Sequence, residues 1–550
     1  MDLGLRLTVA ASLCLMPALP LGLRLGHLQV VRRSALESRA AGEFARVAEE
    51  AAPRADILDR AGRVLARSVP SWSCFVDKAM VKDADAFGVR LAPVLRVPAS
   101  EISRKTRSAG RFAWLKTKMD AAEVEALKRA EVEGVGIAPI QERVYPNGDL
   151  ARGVLGLVGT EGRGLAGAEL TLDKRLRGAS RRFALMRDGA GHAIYKSVAD
   201  DGRMPDPIRL TLDRNVQYLA EEALREGAEK HSFKSGYLAV QDPQTGEILA
   251  MASWPTSPLK NPLVQDAYEP GSTFKVVTAL AAVDEGLVKP DDAFDGENGK
   301  WQVVPGVAIT DHEGQGLMTL SQILERSSNI GIAKVVERVG PSRFYRMSRA
   351  LGFGVKTGVA LPGETAGELK PLSDLTKVGL AACSYGYGLA VSPLQVIGAY
   401  SALANGGTLM EPRLLYDGKP GARVRRIGSE GAVREITAIL EGVVERGTAA
   451  GARISGYRVA GKTGTARKID PLTHKYSTSA YVASFVGFLP ASAPRWTVLV
   501  VLHEPHGAYY GGQTAAPIFA ALGRRLLALE TVTPDMPADV LALLPRSARR

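Results

Sequence analysis

The stretch Tyr268-Glu-Pro-Gly-Ser272-Thr-Phe-Lys275-Val-Val-Thr-Ala-Leu-Ala-Ala-Val283 decides the reading of this chain. Pro270 and Gly271 make a turn, and the apolar run from Val276 reads as a buried helix stopped by Gly286. Ser272 falls in the first turn of that helix, and Lys275, three residues on, shares its face. A serine hydroxyl attacks only once a base takes its proton. A lysine serves as that base when burial or a nearby positive charge lowers its pKa. The apolar helix supplies the burial, and its positive N-terminal end favours negative charge developing near Ser272. Taken alone, the same residues also describe a capping serine with a surface lysine.

Two further words follow. Ser327-Ser328-Asn329 lies on a break between the helical patterns 320–326 and 330–338. Such a break can aim the Ser327 hydroxyl and the Asn329 amide into a cleft, Ser327 to pass a proton and Asn329 to hold a substrate amide; a plain helix cap fits as well. The third word is Lys462-Thr463-Gly464-Thr465. With the residues before it, Gly456-Tyr-Arg-Val-Ala-Gly-Lys-Thr463 also spells G-x-x-x-x-G-K-T, a phosphate-binding loop. The context is wrong for phosphate: no apolar strand precedes Gly456, and no helix opens at Lys462-Thr463. The better reading is a strand edge over 458–466 that returns as a hairpin through 481–489. Gly464 then lets a substrate backbone approach, and an extended peptide pairs along that edge. Lys462 holds a carboxylate and lowers the pKa of Lys275, and the backbone N–H groups of Ser272 and Thr465 form the oxyanion hole. S-x-x-K, S-x-N and K-T-G in this order make a serine acyl-transfer set.

With these words in place, the chain resembles a class B penicillin-binding protein, most closely the cell-division branch. Tyr268 to Lys275, Ser327-Ser-Asn-Ile-Gly331, Leu351-Gly-Phe-Gly-Val-Lys-Thr-Gly358 and Leu361-Pro-Gly-Glu364 carry the resemblance. So do Ser384-Tyr-Gly-Tyr-Gly388, running on to Gln395, and Tyr510-Gly-Gly-Gln-Thr-Ala-Ala-Pro517. Leu210-Thr-Leu-Asp213 and the run from Asp242 to Met251 resemble the start of that family's catalytic domain. The resemblance implies a peptidoglycan D,D-transpeptidase. Ser272 would be the nucleophile, Lys275 the general base and Ser327 a proton shuttle. Asn329, Lys462, Thr463, Gly464 and Thr465 would bind the substrate or stabilise the oxyanion. The substrate would be a stem peptide ending in D-Ala-D-Ala, and penicillins would acylate the same serine. Membrane glycosyltransferase and divisome proteins are the implied partners, and no cofactor is implied. The alternatives carried forward are a D,D-carboxypeptidase or β-lactamase-like hydrolase and a non-catalytic scaffold or β-lactam receptor. A lactamase needs a carboxylate that holds water, and Glu364 lies between the words.

The implied fold is mixed α/β, the penicillin-binding serine transpeptidase fold. An antiparallel sheet is flanked by helices, with the strand pairs 235–253 and 481–504 in one sheet. The 550 residues divide into a membrane anchor (1–31), an elongated pedestal (32–205), a transpeptidase domain (206–530) and a tail (531–550). Residues 34–51 read as a helix leaving the membrane, 56–66 as the first pedestal motif and 200–207 as a linker. The anchor is read from Leu7–Leu23, which is uncharged but short and holds Pro17 and Pro20. It is taken as an uncleaved signal anchor with the catalytic part outside the cytoplasm, although Arg32 and Arg33 follow it on the outer side. A net charge of +12 suits an anionic wall polymer or membrane surface; no nucleic-acid motif accompanies it. Three cysteines give neither a disulfide framework nor a zinc site, and His503-Glu-Pro-His506 has the wrong spacing for a zinc helix. Asp311-His312-Glu313 reads as a polar turn.

Overall fold

The computed structural model describes residues 3–16, 18–36, 45–50, 52–159, 162–178, 181–187, 193–200, 205–419, 421–470 and 472–536. The anticipated tail thus lies largely outside the described residues, as does the middle of the linker at 201–204. The chain forms two compact units. One holds Met1–Ala55, Val69–Glu142 and Arg177–Pro205, and the other Asp56–Ser68, Arg143–Leu176 and Asp206–Arg550. Residues 56–68 and 143–176, which the sequence reading gives to the pedestal, therefore cluster with the larger unit.

In the first unit, helices Ala84–Leu95, Ala99–Arg107 and Ala121–Ala130 accompany strand Phe112–Met119, which pairs with residues 72–77. Cys74, Val76, Leu91, Ile102, Leu115 and Leu127 make its core. Asp83 and Asp120 cap two of the helices, the latter in a full capping box with Glu123. Residues 45–50, expected within a helix, instead form a strand paired with Arg181–Arg187, which pairs in turn with Ala193–Asp200. The run Ala-Arg-Val-Ala-Glu-Glu has helical propensity, but strand pairing overrides so weak a local preference. Near the N-terminus, helices Leu3–Leu15 and Ala18–Gly26 stand where one spanning helix was expected. Among the described residues no helix is long and apolar enough to cross a membrane.

The second unit is built on a five-stranded antiparallel sheet. Its strands are β1 (Ser235–Gln241), β2 (Ile248–Trp254), β3 (Ala460–Ile469), β4 (Tyr476–Leu489) and β5 (Trp496–His503), in the order β2-β1-β5-β4-β3. The two expected strand pairs thus share one sheet, and the 458–466 edge is real, as β3. Residues 482–489 and 496–502 are buried without a break, which marks strands covered on both faces. Helices α1 (Arg214–His231) and α7 (Ala515–Leu529) pack together against the sheet. So do α5 (Pro393–Ala404) and α6 (Glu430–Glu445). Helix α2 (Lys275–Asp284) packs on α6 and on α4 (Asn329–Val339), and α3 (Leu320–Arg326) precedes α4. Every residue of α2 from Lys275 to Ala282 is buried. Each of its larger apolar side chains contributes about 2 kcal/mol of burial, so this helix is a rigid platform.

Candidate active site

Gly271–Phe274 form a tight 3₁₀ turn that runs straight into α2. Gly271 has φ +54°, and its N–H donates to Gly386 O at 3.2 Å. A Cβ on Gly386 would meet Gly271 O at 2.2 Å, so two glycine backbones lie against each other beneath the turn. The Tyr400 hydroxyl donates to Thr273 O at 2.9 Å, and Phe274 packs on Phe344 and Phe353. Ser272 is left half-buried at the surface of this fixed turn.

Edge strand β3 faces that turn. A Cβ on Gly464 would stand 2.4 Å from Ser484 Oγ and 2.8 Å from Pro270 O. The glycine is therefore required by the packing of β3 on the Ser272 turn, a closer demand than room for a substrate. Gly464→Ala is expected to lower stability by about 1–3 kcal/mol, because the backbone carbonyl of Pro270 must move; denaturant melts of the two chains check this. Thr463 Oγ1 lies 2.9 Å from Thr448 Oγ1, and Thr465 Oγ1 accepts from Gly511 N–H at 3.2 Å. Lys462 and Thr463 sit inside the strand, so the phosphate-loop spelling has no loop to form.

Ser327 ends α3 with φ +61°, a left-handed conformation that turns the chain sharply before Ser328 caps α4. This geometry carries Ser327 between two fully buried lysines. Its Oγ lies 3.1 Å from Lys275 Nζ and 3.1 Å from Lys462 Nζ. Lys275 also donates to Ser327 O, and Lys462 donates to Thr463 O at 3.3 Å. Burial pushes the Lys275 ammonium well below its ordinary pKa; the Lys462 charge adds to this and Asp311 opposes it. Burial brings Lys462 down to about 7. A hydroxyl with one proton and two lone pairs can link two amines of different protonation, so lysine–serine–lysine is a short proton path.

Asp311, read in the sequence as part of a polar turn, holds this arrangement. Its carboxylate accepts from Ser328 Oγ and from the backbone N–H groups of Asn329 and Ile330, the last at 3.2 Å. Asn329 Nδ2 donates to Thr310 O at 3.1 Å, so the preceding strand Val307–Thr310 grips the same helix end. No local signal reveals Asp311, because its partners lie 17 to 19 residues away. Asp311→Ala is expected to cost about 1–2 kcal/mol of stability as a lost cap. It should also slow acylation by about 10²-fold as the turn loosens; stopped-flow acylation at matched folded fraction separates the two effects. Glu364 accepts from Thr357 N–H and Oγ1 and from Gly358 N–H at 3.2 Å, which ties it to the turn at Thr357-Gly358. His503 is paired with the Tyr237 hydroxyl at 3.1 Å and His506 Nδ1 with Ser232 O at 2.7 Å, so the two histidines face different partners.

The sequence pattern described as penicillin binding protein transpeptidase domain matches residues 236–523, and that of the penicillin-binding protein dimerisation domain matches residues 49–208. The chain is 32% identical over 537 residues to the probable peptidoglycan D,D-transpeptidase PenA of Neisseria gonorrhoeae, covering 94% of this chain and 91% of PenA. It is 29% identical over 536 residues to the peptidoglycan D,D-transpeptidase FtsI of Escherichia coli, covering 93% and 90%. Penicillin binding protein 3 from Mycobacterium tuberculosis, solved in complex with aztreonam, superposes with a TM-score of 0.70 at 28% identity, over 90% of this chain and 99% of that one.

Proposed function

The chain belongs to the class B penicillin-binding proteins, and from that membership we propose that it cross-links peptidoglycan as a serine D,D-transpeptidase. The observation that carries the chemistry is the Ser327 hydroxyl set 3.1 Å from each of two buried lysines, beside the Ser272 turn. In this reading neutral Lys275 takes the Ser272 proton, and Ser272 Oγ attacks the carbonyl between the two D-alanines. Protonated Lys462 binds the terminal carboxylate, a charge-assisted contact with a group the stem peptide always carries. Backbone N–H groups of Ser272 and Thr465 hold the oxyanion. The proton reaches the departing D-alanine amine through Ser327, and an amine of a second stem then releases the acyl group. A β-lactam follows the first half of this path and stops at the ester.

The reading extends to a septal role, by likeness to the FtsI-named relative, with a glycosyltransferase and division proteins as partners. It also extends to an anchored chain with its catalytic unit outside the cytoplasm. The exposed Leu3, Leu7, Leu13, Leu21 and Leu23 support a lipid-facing N-terminus. The division into anchor, pedestal and catalytic domain belongs to the same proposal, with residues 56–68 and 143–176 serving the catalytic unit.

Intact-mass measurement of the full chain in detergent with benzylpenicillin tests the central claim. A stable adduct mapped to Ser272 is the expected result. An adduct that vanishes with drug turnover means a hydrolase, and no adduct means a non-catalytic role.

A further inference from the structure

Glu269 stands three residues ahead of Ser272 and has no part in the steps above. Its Oε1 accepts from Gly388 N–H at 2.7 Å and from the Tyr476 hydroxyl at 3.0 Å. Its Oε2 is buried and has no hydrogen-bond partner among the described residues. A buried acceptor left unpaired is costly, and in a native fold it calls for a reason. Burial raises the pKa of this carboxyl, while its two donors pull it back.

The surroundings supply the reason. Tyr387 packs edge-on against Tyr476 with ring centres 5.5 Å apart, and Tyr385 lies 5.7 Å from Tyr387. The Tyr387 hydroxyl accepts from Arg467 N–H at 3.2 Å, which fastens the cluster to the outer part of β3. Gly386, between Tyr385 and Tyr387, is the residue whose backbone lies against Gly271 beneath the nucleophile turn. Tyr476 is 43% exposed, so the cluster opens to solvent through the ring whose hydroxyl occupies Glu269. An acid with a spare acceptor oxygen beside aromatic rings matches a primary ammonium group: the oxygen takes its N–H donors and the ring faces take its charge.

We propose that Glu269, with Tyr385, Tyr387 and Tyr476, is the subsite that receives the amine of the acceptor strand. The inference rests on the transpeptidase reading. The entering ammonium replaces the Tyr476 hydroxyl on Glu269. In a poorly solvated site an ammonium and a carboxylate relax toward amine and acid, so the extra proton passes to Glu269. The freed amine attacks the acyl carbonyl carbon. The C–N bond forms, the C–O bond to Ser272 breaks, and the proton shed by nitrogen returns to Ser272 Oγ. Glu269 then loses its proton to solvent.

The test uses the full chain in detergent with a thioester donor and compares two acceptors. D-Alanine carries an ammonium group at neutral pH; hydroxylamine is uncharged there. The readout is the ratio of aminolysis to hydrolysis, which is independent of how fast the acyl-enzyme forms. In Glu269→Gln the D-alanine ratio is expected to fall about ten- to a hundredfold, the range spanned by a charge-assisted hydrogen bond, with the hydroxylamine ratio changing by about twofold at most. Tyr476→Phe removes the competing donor and should raise the D-alanine ratio. An equal fall for both acceptors, or an unchanged D-alanine ratio, overturns the subsite. If the glutamine chain does not fold, a lowered or unchanged D-alanine ratio in Tyr476→Phe overturns it. A wild-type chain that forms no acyl-enzyme defeats the transpeptidase reading instead.

Discussion

Ser272→Ala is expected to take up no benzylpenicillin at all, while melting close to the wild-type temperature. The loss should be complete because the Ser327 hydroxyl and the Lys275 amine are already engaged. Ser327 Oγ is held between Lys275 and Lys462, and Lys275 Nζ is held by both Ser327 oxygens. Neither can leave those bonds without exposing buried polar atoms. Removing a catalytic group often leaves a residual rate from the remaining machinery, but a covalent ester needs the oxygen that forms it. Stability should barely change. The turn is set by Gly271, by the Tyr400 hydroxyl on Thr273 O and by Phe274 in the core, and none of these contacts involves the Ser272 side chain. Intact mass after prolonged incubation, beside a thermal melt, checks both halves. A slow adduct on the folded variant would move the nucleophile elsewhere.

The turn at Ser272, the edge strand and the two-pair sheet were legible in the sequence because each is written locally. Pro270-Gly271 announces the turn, the unbroken apolar run announces α2, and short, mostly apolar runs announce β4 and β5. The three words were legible as a set but not as a geometry. Nothing local says that Ser327 adopts a left-handed conformation or that two lysines share its hydroxyl. Asp311 and Glu269 were missed for one reason: their partners come from distant segments, and a single acid in a turn carries no periodicity. The strand at 45–50 failed in the opposite sense, since local propensity pointed to helix and pairing with residues 181–187 won. Gly464 was legible as a glycine that something must approach. The nearest approach belongs to Pro270 O and Ser484 Oγ of the protein itself.

Lys275→Met should separate what this site does for catalysis from what it does to stability. Methionine has nearly the same length and suits a buried position. It cannot accept the Ser272 proton, so acylation by benzylpenicillin should fall by about 10³–10⁴-fold, near the upper range for general base catalysis. Stability should move the other way with pH. The folded-state pKa of Lys275 lies well below its ordinary value of 10.5, so between the native pKa and 10.5 the unfolded chain binds a proton that the folded chain does not. That difference penalises folding at low pH. It fades as pH rises through the native pKa toward 10.5, and the wild-type chain gains stability over that window. Lys462, brought down to about 7 by the same burial, adds a second slope of the same sign above that pH. The methionine chain keeps the Lys462 slope and loses its own. Its melting temperature relative to wild type should therefore be highest near pH 6 and decline toward pH 9. The lost bonds to the two Ser327 oxygens lower the whole curve without changing its direction. Melts of both chains across that range, with acylation rates at each pH, decide the matter. A gap in melting temperature that stays flat would mean Lys275 is charged in the folded chain, and the general-base assignment would fall with it.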